Sequence, residues 1–204
     1  MPSKPLFLFD LDGTVTRVEL LPRIAERAGI ERQMRVLTEA TIAGKVPFED
    51  SLRDRVKLLG GLDIGLVRDV CTGAPLNERL VAFMQENREH CAIVTGNLDV
   101  WIGGLAERIG VRLFCSKAQV EGAHVVGLEH ILRKVTVLDE LEDVAKGRTV
   151  VAIGDGHNDA ELIERAHVGI AYGGVHSPAQ SVLEVCTHAI YDEATLCRFL
   201  RRLS

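Results

Sequence analysis

PLFLFDLDGTVT, residues 5–16, is an apolar run that stops abruptly at two carboxylates one residue apart. The apolar residues 6–9 are typical of a buried strand, and Asp10 and Asp12 follow it directly. In an open parallel sheet, ligands bind outside the carboxyl ends of the strands. The stretch therefore predicts a buried first strand that delivers two acidic side chains to a ligand crevice.

The composition is that of a globular protein able to bury a sizeable core. The 204 residues are 47% hydrophobic, and the net charge of −5 includes no basic block. A nucleic-acid groove or an anionic membrane surface is therefore not expected, and no apolar run approaches membrane-spanning length. We expect a cytoplasmic protein, a monomer or homodimer, whose partner is a small metabolite.

Short apolar runs alternate with amphipathic segments over most of the chain. The strand-like runs occupy residues 6–9, 91–94, 112–115, 149–153 and 168–171. The helix-like segments occupy residues 77–87, 99–109 and 128–141. This alternation indicates a parallel sheet covered by helices on both faces. The predicted fold class is therefore α/β, with a Rossmann-like sheet.

Residues 17–75 interrupt this alternation. They show helical spacing, a helix stop at Gly44 and no convincing strand, which predicts about four short helices. Because the segment follows the first strand, we expect a small all-helical cap, or lid, inserted into the α/β core. The core then comprises residues 1–16 and 76–204.

Polar side chains follow three of the predicted strands. Asp10 and Asp12 follow the first, Thr95 and Gly96 the second, and GDGHND, residues 154–159, a third. Carboxylates gathered at one edge of a sheet would repel each other, so they need a cation. Mg²⁺ binds carboxylates, water and phosphate oxygens, and glycine-rich turns free backbone N–H groups for an anion. The pattern favours a magnesium-dependent site for a small phosphorylated metabolite.

Three motifs occur in the order that one enzyme superfamily shows. D-x-D-G-T stands at residues 10–14, a threonine after an apolar strand at Thr95, and G-D-G-x-N-D at residues 154–159. Each fragment alone is weak, since such fragments also occur in ordinary turns, but the ordered set is specific. The chain thus resembles the haloacid dehalogenase superfamily of aspartate-nucleophile phosphatases. The resemblance also implies a catalytic lysine, which we assign to Lys134, with Lys117 as the alternative.

The resemblance implies a role for each matched residue. Asp10 would be the nucleophile, and Asp12 would exchange protons with the leaving group and with water. Asp10, Asp12 and Asp155 would hold Mg²⁺, with Asp159 as an anchor behind them. The groups expected to bind the phosphate are Thr95, Gly96, Lys134 and Asn158.

The insert is similar to that of phosphoserine phosphatases within this superfamily. Glu19 and the segment VPFEDSLRDRV, residues 46–56, carry the similarity. By this match, Arg55 would bind the substrate carboxylate, Glu19 would meet the ammonium group and Phe48 would cover the pair. One position departs from the usual glycine: Asn97 is expected to narrow or re-polarise the floor beneath the substrate.

Three functions fit the sequence. The leading one is a magnesium-dependent phosphomonoesterase that acts on phosphoserine or a similar ester through an aspartyl-phosphate. The second is a phosphotransferase that passes the phosphoryl group to an alcohol such as homoserine, and the third is a non-enzymatic, phospho-accepting receiver module. Asp12 and the helical insert favour an enzyme, since a signalling module needs neither a proton shuttle nor a lid. The histidines, including His157 and His176, lack a ligand spacing and are expected at the surface or in loops.

Overall fold

A computed structural model of the protein describes residues 4–42 and 45–204, so the predicted helix stop at Gly44 lies outside the described residues. The described strands are β1 (Leu6–Phe9), β2 (Cys91–Leu98), β3 (Arg112–Glu121), β4 (His124–His130), β5 (Val150–Gly154), β6 (Val168–Tyr172) and β7 (His188–Ile190). They form one sheet in the order β4-β3-β2-β1-β5-β6-β7. Every pairing is parallel except that of β4 with β3.

Helices connect most of these strands. They are α1 (Leu20–Arg27), α2 (Glu31–Ile42), α3 (Phe48–Leu59), α4 (Ile64–Thr72), α5 (Glu78–Glu86), α6 (Asp99–Ile109), α7 (Val137–Glu140), α8 (Glu142–Ala145), α9 (Ala160–Arg165), α10 (Gln180–Leu183) and α11 (Glu193–Leu203). Over the described part of the chain, none is long and apolar enough to cross a membrane.

The central position of β1 explains its apolar sequence. It pairs with β2 on one side and β5 on the other, and all four of its residues are buried. Because side chains alternate along a strand, Phe7 and Phe9 face one layer of the core while Leu6 and Leu8 face the other. The first layer includes α5, α6 and α11, and the second includes α7, α9 and α10. The α/β fold class is therefore confirmed, with helices on both faces.

The parallel pairing also determines where the residues that follow the strands lie. Strands β1, β2 and β5 are adjacent and run in the same direction, so their carboxyl ends meet at one edge of the sheet. The backbone N–H of Asp10 donates to the carbonyl of Ile153 at 2.8 Å, which carries the pairing one residue beyond β1. The residues that follow these strands are consequently neighbours in space.

Helices α1 to α4 fill the interval between β1 and α5. Residues of α1, α3 and α4 bury side chains in the same apolar layer as Phe7 and Phe9. Helix α3 also packs against β4. The division into a core of residues 1–16 and 76–204 and a lid of residues 17–75 stays a prediction.

The prediction of one helix over residues 128–141 is wrong for its first half, whereas Lys134–Thr136 and Val137–Glu140 are helical. Its first residues belong to β4, which pairs antiparallel with β3 across a turn at Gly122 and Ala123. Gly122 has φ +60°, a conformation that glycine adopts without strain and that tight hairpins need. Helical spacing of apolar residues therefore yields here to pairing across a hairpin, and helix α7 begins only at Val137.

Gly169 tests how tightly the sheet packs on its helices. A Cβ at this position of β6 would lie 2.6 Å from the carbonyl oxygen of Ile163 in α9. We expect Gly169→Ala to lower the free energy of unfolding by about 1–3 kcal/mol, because backbone atoms must move. Among the described residues, no atom lies within 4 Å of the Cβ position of Gly103 in α6, so Gly103→Ala should instead raise that free energy by about 0.5–1 kcal/mol. Urea unfolding measures both, and equal effects would contradict the packing described.

Candidate active site

A cavity of about 70 Å³ lies where β1, β2 and β5 end. Its small size suits a small metabolite. All the predicted site residues line it except Asp159, which lies behind Lys134. The residues so placed are Asp10, Asp12, Glu19, Phe48, Arg55, Thr95, Gly96, Asn97, Lys134, Asp155 and Asn158.

The turn after β1 requires glycine at position 13. Gly13 has φ +75°, and a Cβ there would lie 3.1 Å from Glu19 Oε1 and 3.2 Å from Asp155 Oδ2. Only glycine combines this backbone conformation with such close neighbours. Thr14 Oγ1 then donates to Asp155 Oδ1 at 3.0 Å, which ties the turn to the end of β5.

Lys134 lies between two aspartates. Its Nζ contacts Asp10 Oδ1 and lies 2.6 Å from Asp159 Oδ1, and its side chain is only 2% exposed. Asp159 Oδ2 accepts from the backbone N–H groups of Asp155, at 3.2 Å, and Gly156, at 3.0 Å. Asp159 therefore fixes both the lysine and the loop after β5. Lys117, the alternative lysine, is half exposed and pairs with Asp99 instead.

Burial shifts the pKa values of the charged groups in this cluster. It raises the pKa of Asp10 well above its ordinary value, although Lys134 opposes the shift. Burial also raises the pKa of Asp155. Burial alone would lower the pKa of Lys134, but its contacts with Asp10 and Asp159 raise it overall. The lysine thus stays charged, and its single charge faces the carboxyl groups of both Asp10 and Asp159.

Asp12 points away from this cluster. Its Oδ1 accepts from the backbone N–H of Leu20, the first residue of α1, at 2.9 Å. Its Oδ2 accepts from Asn97 Nδ2 at 2.7 Å. Burial, together with the nearby charge of Glu19, raises the pKa of Asp12 to about 7. A carboxyl group with such a pKa can both give and take a proton near neutral pH.

Helix α3 covers the end of β2. The Phe48 ring lies directly on Gly96, since a Cβ at position 96 would fall 2.1 Å from Phe48 Cζ. Arg55 is buried, and its Nε donates to the carbonyl of Ser51 at 3.3 Å. Within the described residues, Arg55 Nη2 has no hydrogen-bond partner. Helix α3 thus brings to the cavity an aromatic cover and a cationic group with one unused donor nitrogen.

His176 is a site residue that the sequence analysis missed. As expected, His176 lies in a loop, but its Nε2 lies 3.0 Å from both Glu19 Oε1 and Asp155 Oδ2, a place in the site that was not predicted. Hydrogen bonds to these two carboxylates raise the pKa of His176 to about 11. Its loop follows β6 at the same edge of the sheet, and this position was the available signal. His157, by contrast, is exposed and contacts Ser181.

The described residues contain two groups whose atoms lie close enough to hold a metal ion. Asp10, Asp155 and Asp159 form one, and Glu19, Asp155 and His176 form the other, with atoms within 4.8 Å of one another in each. The carboxylate of Asp12 belongs to neither group. Three buried carboxylates with one lysine fit a hard divalent cation, which prefers oxygen ligands and would supply the missing positive charge.

Comparisons with known proteins agree with this geometry. The family model for haloacid dehalogenase-like hydrolase matches residues 7–164. A phosphoserine phosphatase of Halobacterium salinarum is 31% identical, over 96% of each chain. One of Archaeoglobus fulgidus is 29% identical over 83% of this chain, which spans only 53% of that relative. A solved phosphoserine phosphatase, described as a phospho-aspartyl intermediate analogue, superposes with a TM-score of 0.81 at 27% identity, covering 97% of this chain and 99% of its own.

The charge balance around Lys134 predicts a large difference between two lysines. Lys134→Met should lower the free energy of unfolding by about 3–5 kcal/mol at pH 8, because buried carboxylates lose their partner. Lys117→Met removes only an exposed ion pair and should cost about 0–1 kcal/mol. Urea unfolding without added metal measures both.

The same comparison at pH 5 provides a control. Because the pKa of Asp10 is raised, falling pH allows unpaired carboxyl groups to bind protons, so the loss in Lys134→Met should shrink. A loss that is equal for both lysines, or independent of pH, would contradict the arrangement.

Proposed function

The chain belongs to the haloacid dehalogenase-like hydrolase family, and we propose that it hydrolyses phosphoserine through a phosphoryl group carried on Asp10. It is a phosphatase of small phosphate esters. The similarity to phosphoserine phosphatases over 96% of both chains supports this substrate. The observation that carries the proposal is the buried guanidinium of Arg55 in the cavity that Asp10 lines, because its Nη2 has no hydrogen-bond partner among the described residues.

An unpaired guanidinium nitrogen in a buried cavity calls for an anion. Desolvation of a charged donor without a partner is costly, and a carboxylate matches the guanidinium fork in shape and charge. Lys134 and Asp10 line the same cavity, and we place the phosphate of the ligand next to them. A ligand with a carboxylate close to a phosphate ester therefore suits the cavity, and phosphoserine is such a molecule.

The third charged group of phosphoserine is its ammonium, for which we propose Glu19. Glu19 lines the same cavity. Among the described residues, His176 is the only basic side chain that forms an ion pair with it. Phe48 would lie over the bound amino acid and reduce the access of water. We propose that residues 17–75, which supply Glu19, Phe48 and Arg55, act as a lid that recognises the amino-acid part of the substrate.

Asp10 is the proposed nucleophile. Its carboxylate oxygen attacks phosphorus, the bond from phosphorus to the serine oxygen breaks, and a phosphoryl-aspartate forms. Lys134, held by Asp159, remains in contact with Asp10 and limits the repulsion between the attacking carboxylate and the phosphate oxygens. Thr95 and Asn158 would donate side-chain hydrogen bonds to the phosphate, and Gly96 would donate its backbone N–H.

Asp12 is the proposed proton carrier. Its neutral carboxyl group gives a proton to the departing serine oxygen, and the resulting carboxylate takes a proton from the water that attacks the phosphoryl-aspartate. Asp10 is then restored and inorganic phosphate is released. The pKa of about 7 suits both halves of this exchange. With water as the acceptor, each serine released is accompanied by one inorganic phosphate. Transfer to an alcohol would release serine without an equal amount of inorganic phosphate.

We propose Mg²⁺ as the divalent ion of this site. Asp10 and Asp155 would bind it through their carboxylates, with Asp159 behind them. Each carboxylate oxygen of Asp12 already accepts one hydrogen bond, so we propose that Asp12 contributes its backbone carbonyl oxygen instead. The ion would neutralise negative charge on the phosphate and so assist the approach of an anionic nucleophile.

Asp10→Asn should abolish the release of phosphate from phosphoserine, because an amide cannot form the phosphoryl-aspartate. Its unfolding midpoint should stay near that of the wild type, which circular dichroism can check. Wild-type activity should also disappear in EDTA and return with Mg²⁺. Substantial turnover by a folded Asp10→Asn protein would refute the nucleophile.

Arg55 and Arg53 form a matched pair on α3, since Arg55 is buried in the cavity and Arg53 is exposed. Arg55→Ala should reduce kcat/KM for phosphoserine by a factor equivalent to about 2–5 kcal/mol, because a desolvated charge pair is lost. Its effect on p-nitrophenyl phosphate, which lacks a carboxylate, should be much smaller. Arg53→Ala should leave both substrates nearly unchanged. Equal losses on the two substrates would show that Arg55 does not bind a carboxylate.

A further inference from the structure

Asn97 lies in a bulge at the end of β2. Thr95 pairs with Cys115 and Leu98 with Ser116, so Gly96 and Asn97 stand outside the regular pairing with β3. A bulge re-aims the side chains it carries. Asn97 is only 5% exposed, and its side chain lines the active-site cavity.

The two ends of this side chain are used unequally. Nδ2 donates to Asp12 Oδ2 at 2.7 Å, and because the ionised form of Asp12 only accepts, this contact orients the amide in that form. Oδ1 is buried and accepts no hydrogen bond from the described residues. A buried acceptor without a donor is unfavourable, so the cavity contains a polar atom whose partner is missing.

We propose that Asn97 determines specificity for the amino group: Oδ1 accepts a hydrogen bond from the substrate ammonium while Nδ2 holds the carboxyl group of Asp12. This inference rests on the proposed function. It gives one residue contacts with both the recognised group and the proton carrier.

The chemistry of phosphoserine selects the ammonium. Its phosphate and carboxylate groups offer only acceptors when ionised, so neither can pair with Asn97 Oδ1. The ammonium carries three N–H donors and needs more than one acceptor when it is desolvated. Glu19 supplies one, but its Oε1 already accepts from His176 at 3.0 Å. Asn97 Oδ1 supplies another that no described residue uses.

The two contacts of Asn97 predict distinct kinetic effects. Loss of Nδ2 would leave Asp12 with Leu20 as its one remaining donor among the described residues, so protonation of an alkoxide leaving group should slow for every alkyl phosphate. Loss of Oδ1 should weaken only substrates that carry an ammonium. p-Nitrophenolate departs without needing a proton, so p-nitrophenyl phosphate should report neither effect.

The test therefore compares Asn97→Ala with the wild type on three substrates. They are phosphoserine, 3-phosphooxypropionate, which lacks only the ammonium, and p-nitrophenyl phosphate. We expect kcat/KM for phosphoserine to fall at least about tenfold more than for 3-phosphooxypropionate. The fall for p-nitrophenyl phosphate should be the smallest. Asn77→Ala is the matched control, because Asn77 is also 5% exposed but donates to the carbonyl of Thr14 outside the cavity. It should change phosphoserine and 3-phosphooxypropionate by the same factor.

The outcomes separate this inference from the proposed function. If the wild type prefers phosphoserine and Asn97→Ala lowers both alkyl phosphates equally, the ammonium contact is wrong and Asn97 acts only through Asp12 or the attacking water. If the wild type shows no preference for phosphoserine, the proposed function fails and the inference fails with it. If thermal unfolding shows that Asn97→Ala is not folded, Asn97→Gly tests the same loss of the side-chain amide, since glycine is tolerated in bulges.

Discussion

The contact of Lys134 with Asp10 and Asp159 is the interaction on which the rest of the site depends. A parallel sheet brings the ends of β1 and β5 together and would otherwise bury like charges side by side. The lysine lets Asp10 remain in a buried position, and Asp159 holds both the lysine and the loop that carries Asp155. The cluster still lacks positive charge, which suits a site that binds a divalent ion.

The cavity also contains unpaired groups of opposite kind. Arg55 Nη2 is a donor and Asn97 Oδ1 is an acceptor, and neither has a partner among the described residues. Protein interiors rarely leave such groups unsatisfied, so each indicates a complementary group on a ligand. Helix α3 supplies one and the bulge of β2 supplies the other, so recognition is divided between the insert and the sheet.

Much of this could be predicted from the sequence, because strand ends and short motifs are local features. Residues 6–9 and the three motifs were enough to predict that Asp10, Thr95 and Asp155 lie close together. The antiparallel β4 could not be recognised, since helical spacing over residues 128–141 competed with a pairing that only the hairpin at Gly122 establishes. His176 contacts residues far away in the chain, and apart from the position of its loop after β6 no local motif indicated such a contact.

The close approach of Phe48 to Gly96 has a consequence for how this surface can diverge. The ring occupies the space that any side chain at position 96 would require. A larger residue there is compatible only with a smaller or displaced one at position 48, although the two lie in separate elements. Among homologous chains, a larger residue at position 96 should therefore be accompanied by a smaller residue at position 48, whereas position 48 can change to a smaller residue while Gly96 is kept.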